Sequence, residues 1–432
     1  MNICFTKMQF NKALLYNIAL KSINIVILFV INILFVRIAG AKVTGDFFYL
    51  ITILSFITLI ISGSLESGIT FYASKNTSGP LSFAWLIILI CILQLALTFV
   101  IIFSIVKNPT SLSLLYLLMF VISNILISNF SAIYISYQWF VSVNIILLIA
   151  NSITLLFLLL ILNQQTVTAI DNAEKVYLLS FFLQSAGLTI FFFIKNKIRR
   201  WNFPRYAVVK QILKYSLLAF IGNICFFLVT RLDYVFVKTY CSSQALGNYV
   251  QISKIGQMFV LIPAMAASVI FPFTVTNKNI LAKVQWLCRF MTVVIVLAAV
   301  FIIVTGKWLF PWFFGKEFYL MYTAMLFFLP GIFALCISSL LASHISGKGF
   351  ISINVTASVI ALIIVIAGDI IFIPKYGINA AAAVSSIAYL SCMLYLLRHS
   401  IVKYNSKIED YFQISFTEFK YVFLHITNKN KK

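Results

Sequence analysis

Acidic residues are scarce in this sequence. Its 432 residues contain 10 Asp and Glu against 32 Lys and Arg, and charged residues make up only 10% of the chain. A chain that is 62% hydrophobic has too little polar surface to be a soluble globule. The positive charges lie between apolar runs rather than on one face of a domain. The net charge of +22 therefore indicates membrane topology and not a nucleic-acid partner.

The sequence also lacks the motifs that catalysis or metal binding would need. Its seven cysteines form no CxxC pair, and its three histidines form no HExxH spacing. The SGKG at 346–349 lacks the upstream glycine of a phosphate-binding loop, and no GxSxG is present. We therefore expect no enzyme activity, no metal, no disulfide and no cofactor.

Long apolar runs recur from Ala13 to Leu397. Windows of about 20 residues predict about twelve membrane-spanning helices. The predicted spans are 14–37, 46–71, 82–106, 112–136, 141–162, 175–194, 212–239, 247–272, 287–309, 320–345, 352–373 and 379–398. The predicted fold class is an all-α polytopic membrane protein.

The distribution of Lys and Arg predicts the orientation. An even number of spans places both termini on one side, and segments on that side hold more than twice as many Lys and Arg as those on the other. By the positive-inside rule, both termini are cytoplasmic. The basic run from Lys195 to Lys214 becomes a cytoplasmic linker between halves of the chain.

Two sequence repeats support a division at this linker. FVSVN at 140–144 matches FISIN at 350–354, and TGDFFYLITI from Thr44 matches LGNYVQISKI from Leu246, with offsets of 210 and 202 residues. The repeats predict two six-helix bundles in the same orientation, related by a parallel pseudo-two-fold axis along the membrane normal. We assign residues 1–200 and 201–398 to the two lobes. The tail, 399–432, is predicted to be amphipathic, with Phe412 to Ile426 on one helical face.

One stretch places three charges inside predicted spans. In RLDYVFVKTYCSSQALGNYVQISK, Asp233 lies eight residues before the polar turn and Lys254 eight residues after it. Both would lie roughly 12 Å below the surface, near the middle of the bilayer, where a charge needs a partner or a wet cavity. Asp233 and Lys254 could form a salt bridge that locks the hairpin, or act in transport. Arg231 has no obvious carboxylate, which favours an anionic ligand.

Three further charges lie within or near spans. Lys21 and Glu66 both fall towards the cytoplasmic end, where they could pair, although the stem of Lys21 could also extend to the inner surface. Asp369 lies five residues before Pro374, so we expect it near the outer interface and readily solvated.

Five segments, in this order and spacing, form a distributed pattern over nearly the whole chain. They are RIAGAKVTGDFFYL from Arg37, RLDYVFVKTYCSSQALGNY from Arg231, FGKEF from Phe314, LPGIFALCISSLLASHISGKG from Leu329 and IFIPKYGINAAAAVSSIAY from Ile371. Together they resemble the Wzx-type flippases of O-antigen and related polysaccharides, which belong to the multidrug/oligosaccharidyl-lipid/polysaccharide (MOP) superfamily.

The resemblance implies a transporter of the bacterial inner membrane whose two lobes enclose a cleft that opens alternately to each side. The implied substrate is an undecaprenyl-pyrophosphate-linked oligosaccharide, moved from the cytoplasmic to the periplasmic leaflet. Substrate-binding candidates at matching positions are Arg231, Lys254 and Lys21. Asp233 and Glu66 are candidates for coupling to an H⁺ or Na⁺ gradient. Membrane lipids, a polysaccharide polymerase and a chain-length regulator are the implied partners.

Two alternatives differ in their predicted cavities. A MATE-like, cation-coupled multidrug exporter would have a cavity dominated by carboxylates and aromatics, whereas a flippase would have a cationic one. A polysaccharide polymerase would need a large outer loop with arginines, and the longest predicted outer loop, 163–175, is too short for an active site.

Overall fold

The computed structural model describes residues 10–75, 80–105, 114–162, 167–196, 204–276 and 280–413. Within them the regular structure is helical. The helices are α1 (Phe10–Ser62), α2 (Leu65–Ser74), α3 (Pro80–Ile105), α4 (Leu114–Ser136), α5 (Phe140–Leu162), α6 (Val167–Asn196), α7 (Tyr206–Tyr240), α8 (Ser243–Thr276), α9 (Leu281–Phe314), α10 (Met321–Gly347), α11 (Ile351–Tyr404) and α12 (Glu409–Phe412). A short 3₁₀ turn, Lys316–Phe318, joins α9 to α10.

Among the described residues, ten helices are long and apolar enough to cross a membrane, and two of them, α1 and α11, break near their middle. α1 has 53 residues and breaks at Gly40 (φ 71°), and α11 has 54 residues and breaks at Gly377 (φ 59°). Both glycines adopt a positive φ that other residues rarely tolerate, so the chain can reverse there without a loop. The described helices thus make twelve crossings, which confirms the predicted number.

The span boundaries differ from the predicted ones. The predicted second span, 46–71, is interrupted by Gly63 and Ser64, both at positive φ, which separate α1 from α2. The last predicted span ends at 398, but the helix that contains it, α11, continues six residues further to Tyr404. Phe412 ends α12, and the rest of the predicted amphipathic face, up to Ile426, lies outside the described residues.

The crossings define two sides of the molecule. We call the Gly40 side the one that holds Gly40, the α7–α8 turn and Gly377, and the α12 side the one that holds the end of α11 and α12. Helices α1–α6 form the first lobe and α7–α11 the second. The boundary predicted at 200/201 falls among residues outside the described ranges and stays a prediction.

The lobes meet where α1 packs against α8 and α2 against α7. At the α1–α8 contact a Cβ on Gly45 would lie 2.7 Å from the Ser243 carbonyl oxygen, and one on Gly247 would lie 2.1 Å from the Ala41 carbonyl oxygen. Gly45 and Gly247 are equivalent in the repeat with offset 202, as are Ala41 and Ser243. Equivalent residues meet in this reciprocal way only near a two-fold axis, so the pseudo-two-fold passes between α1 and α8.

Candidate functional site

Arg231 lies on α7, nine residues before the end of the helix at Tyr240, and its hydrogen-bond partners are neutral. Its Nη1 donates to the Tyr234 hydroxyl at 2.5 Å, and its Nη2 donates to Gln257 Oε1 at 2.7 Å. The guanidinium carbon lies 5.1 Å from the centre of the Tyr234 ring, within the range of a cation–π contact. The expectation that Arg231 has no carboxylate partner holds among the described residues, whose ion pairs do not include it.

Lys254 lies on α8 and reaches across to the first lobe. Its Nζ donates to Asn32 Oδ1 at 2.8 Å and lies over the Phe48 ring, and both residues belong to α1. Asn32 in turn donates to Gln251 Oε1 at 2.7 Å. Arg231 is close enough to Lys254 for the two like charges to repel each other, so both side chains belong to one region between the lobes. We call this pair the cation pair.

Asp233 does not form a salt bridge with Lys254, which was one of the two possibilities for this pair. Its Oδ2 accepts a hydrogen bond from the Tyr249 hydroxyl at 2.5 Å and another from Ser385 Oγ at 3.2 Å. The two charged residues share a depth, but they point to different sides of the α7–α8 hairpin. Tyr249 occupies the place at Asp233 that a salt bridge would give to the lysine.

Asp369 is the second carboxylate of this region, and the expectation that it is solvated is wrong. It is 0% exposed, and neither carboxylate oxygen has a hydrogen-bond partner among the described residues. It is near enough to Asp233 for the two charges to interact. We call Asp233 and Asp369 the carboxylate pair, and it lies within the second lobe, between α7 and α11.

A cavity of about 580 Å³ lies between the lobes on the α12 side of the cation pair. Helices α2 and α4 of the first lobe and α7, α8, α10 and α11 of the second contribute to its wall. Its lining is mostly apolar with several hydroxyl and amide groups, and Glu66 is the one charged residue among the described lining residues. Arg231 lies about one turn closer to the Gly40 side than the lining residue Phe226 on α7, and Gln257 lies about one turn closer to that side than the lining residue Val260 on α8.

Lys21 and Glu66 do not pair. Lys21 is half-buried on α1 and has no hydrogen bond or ion pair to another described residue, whereas Glu66 faces the cavity from α2. Of the three predicted cations, Arg231 and Lys254 come together and Lys21 lies apart from them. Of the two predicted coupling residues, Asp233 lies in the carboxylate pair and Glu66 in the cavity.

The lobes are held together on the Gly40 side by polar contacts. Glu317 Oε2 accepts a hydrogen bond from the Ala41 backbone N–H at 2.9 Å, directly after the break in α1. Arg37 donates to the Phe313 and Trp312 carbonyl oxygens at 2.9 and 2.8 Å, at the end of α9. Each lobe therefore caps a helix end of the other. Lys238 and Asp46 add an ion pair between the lobes.

Aromatic side chains join the lobes at the α12-side end of the cavity. Phe71 of α2 stacks on Tyr215 of α7 with ring centres 4.6 Å apart and lies 6.3 Å from the Phe271 ring of α8. The cavity thus lies between a polar contact region on one side and an aromatic one on the other.

Sequence reasoning missed Asp369 and Glu317 as site residues. A signal for Glu317 was present, because FGKEF is a charged, glycine-containing segment between two apolar runs. Only the fold shows that it meets the break at Gly40.

Comparison with known proteins supports the fold. No protein-family model and no curated protein sequence matches this chain. A MATE in complex with MaL6 matches with a TM-score of 0.72 at 12% identity, covering 93% of this chain and 100% of that one. The lipid II flippase MurJ in an inward closed conformation matches with a TM-score of 0.66 at 17% identity, covering 93% and 88%.

A third similar structure is a MOP superfamily transporter from Pyrococcus furiosus, described as having a binding pocket of reverse polarity. Its TM-score is 0.69 at 11% identity, and the match covers 92% of this chain and 96% of that one. At such identities the likeness concerns the fold alone. The chain therefore has the fold of the MOP superfamily transporters, which include both drug exporters and a lipid flippase.

Proposed function

We propose that this protein is a Wzx-type flippase. It moves an undecaprenyl-pyrophosphate-linked oligosaccharide from the cytoplasmic to the periplasmic leaflet by alternating access. It is placed in a bacterial inner membrane with the α12 side cytoplasmic, as the distribution of Lys and Arg predicts. The cavity then lies on the side from which the substrate is loaded.

The observation that carries this proposal is the cation pair. Arg231 and Lys254 lie near the middle of the membrane between the lobes, and their hydrogen bonds go to neutral groups. A charge at that depth costs about 2.5–3.5 kcal/mol. Asp233 offsets part of the charge of Arg231 without forming an ion pair with it, so the two cations keep positive charge available to an anion between the lobes. A pyrophosphate is such an anion, and an arginine can bind it with two parallel hydrogen bonds.

Ion coupling is assigned to the carboxylate pair. Asp233 and Asp369 are buried near each other, and hydroxyl groups donate to Asp233 but not to Asp369 among the described residues. Two negative charges this close repel each other, so either a proton must neutralise one carboxylate or a sodium ion must bind beside them. A polysaccharide polymerase and a chain-length regulator are proposed partners, because they would use the translocated unit.

Replacing Arg231 with alanine is expected to abolish export of the surface polysaccharide, because the pyrophosphate loses its bidentate partner. The measurement is surface polysaccharide and lipid-linked intermediates in a native host that lacks the chromosomal gene and carries the variant. Intermediates should accumulate while the protein stays in the membrane. Arg205→Ala, an exposed arginine next to the start of the same helix, serves as the control and should export normally. Normal export by Arg231→Ala would contradict the proposal.

The second candidate is a MATE-like, cation-coupled multidrug exporter. The cavity favours it in one respect, because its one charged lining residue is the acid Glu66, with Tyr215, Phe226 and Phe271 nearby. Gene deletion separates the two functions. Normal surface polysaccharide together with altered resistance to cationic dyes would support the exporter and reject the flippase.

A further inference from the structure

Two residues that line the cavity carry hydrogen-bond acceptors that the other described residues do not satisfy. Glu66 Oε2 on α2 is buried within the protein and has no hydrogen-bond partner among the described residues. On the opposite wall, the Asn354 amide nitrogen donates to the Ala342 carbonyl and to Ser346 Oγ, which leaves Asn354 Oδ1 without a partner there as well. Glu66 and Asn354 therefore line the same cavity from the two lobes, and each carries one oxygen without a hydrogen-bond partner among the described residues.

This pattern determines what kind of group the cavity can bind. An unpaired carboxylate in a mostly apolar wall is costly, and no Lys or Arg is among the described lining residues to compensate it. An ammonium group supplies three N–H donors and a positive charge, and so can compensate the charge of the Glu66 carboxylate. The surrounding hydroxyls of Ser339, Ser343 and Ser346 suit the hydroxyl groups of a sugar.

We propose that Glu66 binds an ammonium group on the sugar portion of the transported molecule, so that the substrate is an oligosaccharide with a free, unacetylated amine. This inference rests on the proposed flippase function and narrows its substrate class. Glu66 determines specificity, and Asn354 lines the same cavity from the second lobe.

The size of the cavity and the charges beyond it agree with this substrate. A volume of about 580 Å³ lies within the usual range for ligand sites, about 300–1,000 Å³. The cation pair lies about one helical turn from the cavity lining of α7 and α8, towards the Gly40 side. A molecule with an anionic pyrophosphate and a cationic sugar would thus meet opposite charges at two separate places between the lobes.

The test compares two probes that differ only in the amine. These are octyl β-D-glucosaminide, which carries a free ammonium, and its N-acetylated counterpart, with binding measured by calorimetry on the full chain in lipid nanodiscs. The wild-type chain is expected to bind the free amine at least tenfold more tightly. In Glu66→Gln this preference should disappear, because an amide has the same shape but no charge.

Glu174→Gln is the matched control, since Glu174 is a buried carboxylate of α6 outside the cavity lining, and it should keep the preference. Equal binding of the two sugars by the wild-type chain, no binding of either, or an unchanged preference in Glu66→Gln would overturn the inference. Tetraphenylphosphonium, a cation without a sugar, should bind more weakly than the glucosaminide, and equal or tighter binding would also overturn it. If the amine inference fails but Arg231→Ala still abolishes export, the proposed flippase function stands and only the specificity for an amine is rejected.

Discussion

Replacing Gly247 with alanine is expected to keep the lobes from closing on the Gly40 side and to reduce transport roughly tenfold or more. The new Cβ would lie 2.1 Å from the Ala41 carbonyl oxygen and 2.9 Å from its carbonyl carbon. These are backbone atoms of the other lobe, so α1 and α8 must separate to make room. Overpacking of this kind costs about 1–3 kcal/mol, and about 1.4 kcal/mol changes an equilibrium tenfold.

The separation can be measured with a cysteine at Thr44, which is 0% exposed beside this contact. In a Cys241→Ser background, a membrane-impermeant maleimide should label Thr44→Cys slowly in the otherwise native chain and faster with Gly247→Ala. Gly187→Ala is the control, because its Cβ would meet only the Ile146 side-chain methyl within one lobe. Equal labelling of the Gly247 variant and this control would contradict the expected opening.

Closure at this side depends on more than the glycines. Glu317 stabilises the start of the helix after Gly40, where the macrodipole favours a carboxylate, and Arg37 stabilises the end of α9, where it favours a cation. Both contacts form only when the lobes are close. Gly45 and Gly247 let α1 and α8 come close together, and the hydrogen bonds of Glu317 and Arg37 then stabilise the closed arrangement of the lobes.

The sequence predicts the number of crossings and the repeat correctly for clear physical reasons. Each crossing needs about 20 apolar residues, and the matches at Thr44 and Leu246 fall on the residues that meet at the pseudo-two-fold axis. The breaks at Gly40 and Gly377 lie between predicted spans. What hydropathy could not give is that the chain reverses there within one residue.

The charge pairing could not be predicted, because a sequence gives depth along a helix but not the direction in which a side chain points. Asp233 and Lys254 have the depth expected of a pair, yet Tyr249 and Asn32 are their partners. Asn32 belongs to the other lobe, 222 residues away in the chain. Such partners follow only from how the lobes pack.

Asp369 illustrates the other limit. The sequence predicts a span that ends just before Pro374, but α11 continues through this proline to the break at Gly377. Asp369 therefore lies eight residues before its turn, as Asp233 lies eight before Cys241, and the two carboxylates share a depth of roughly 12 Å.

Neutralising either member of the carboxylate pair is expected to remove the response of the protein to its coupling ion. Two buried carboxylates repel each other unless a cation lies between them or a proton neutralises one, so the ion should stabilise the folded chain. Saturating binding is worth about 2.7 kcal/mol at a hundredfold excess over Kd, which corresponds to a few degrees in melting temperature.

The measurement is thermal unfolding of the purified full chain in sodium against choline chloride, and at acidic against neutral pH. The wild-type melting temperature should rise with one of these ions, and Asp233→Asn and Asp369→Asn should each lose that rise while Glu174→Gln keeps it. A wild-type chain indifferent to both ions, or a full response in both variants, would show that the pair is not the coupling site. Because the asparagine variants keep the shape of the side chain, a lost response would be due to the missing charge and not to a change in packing.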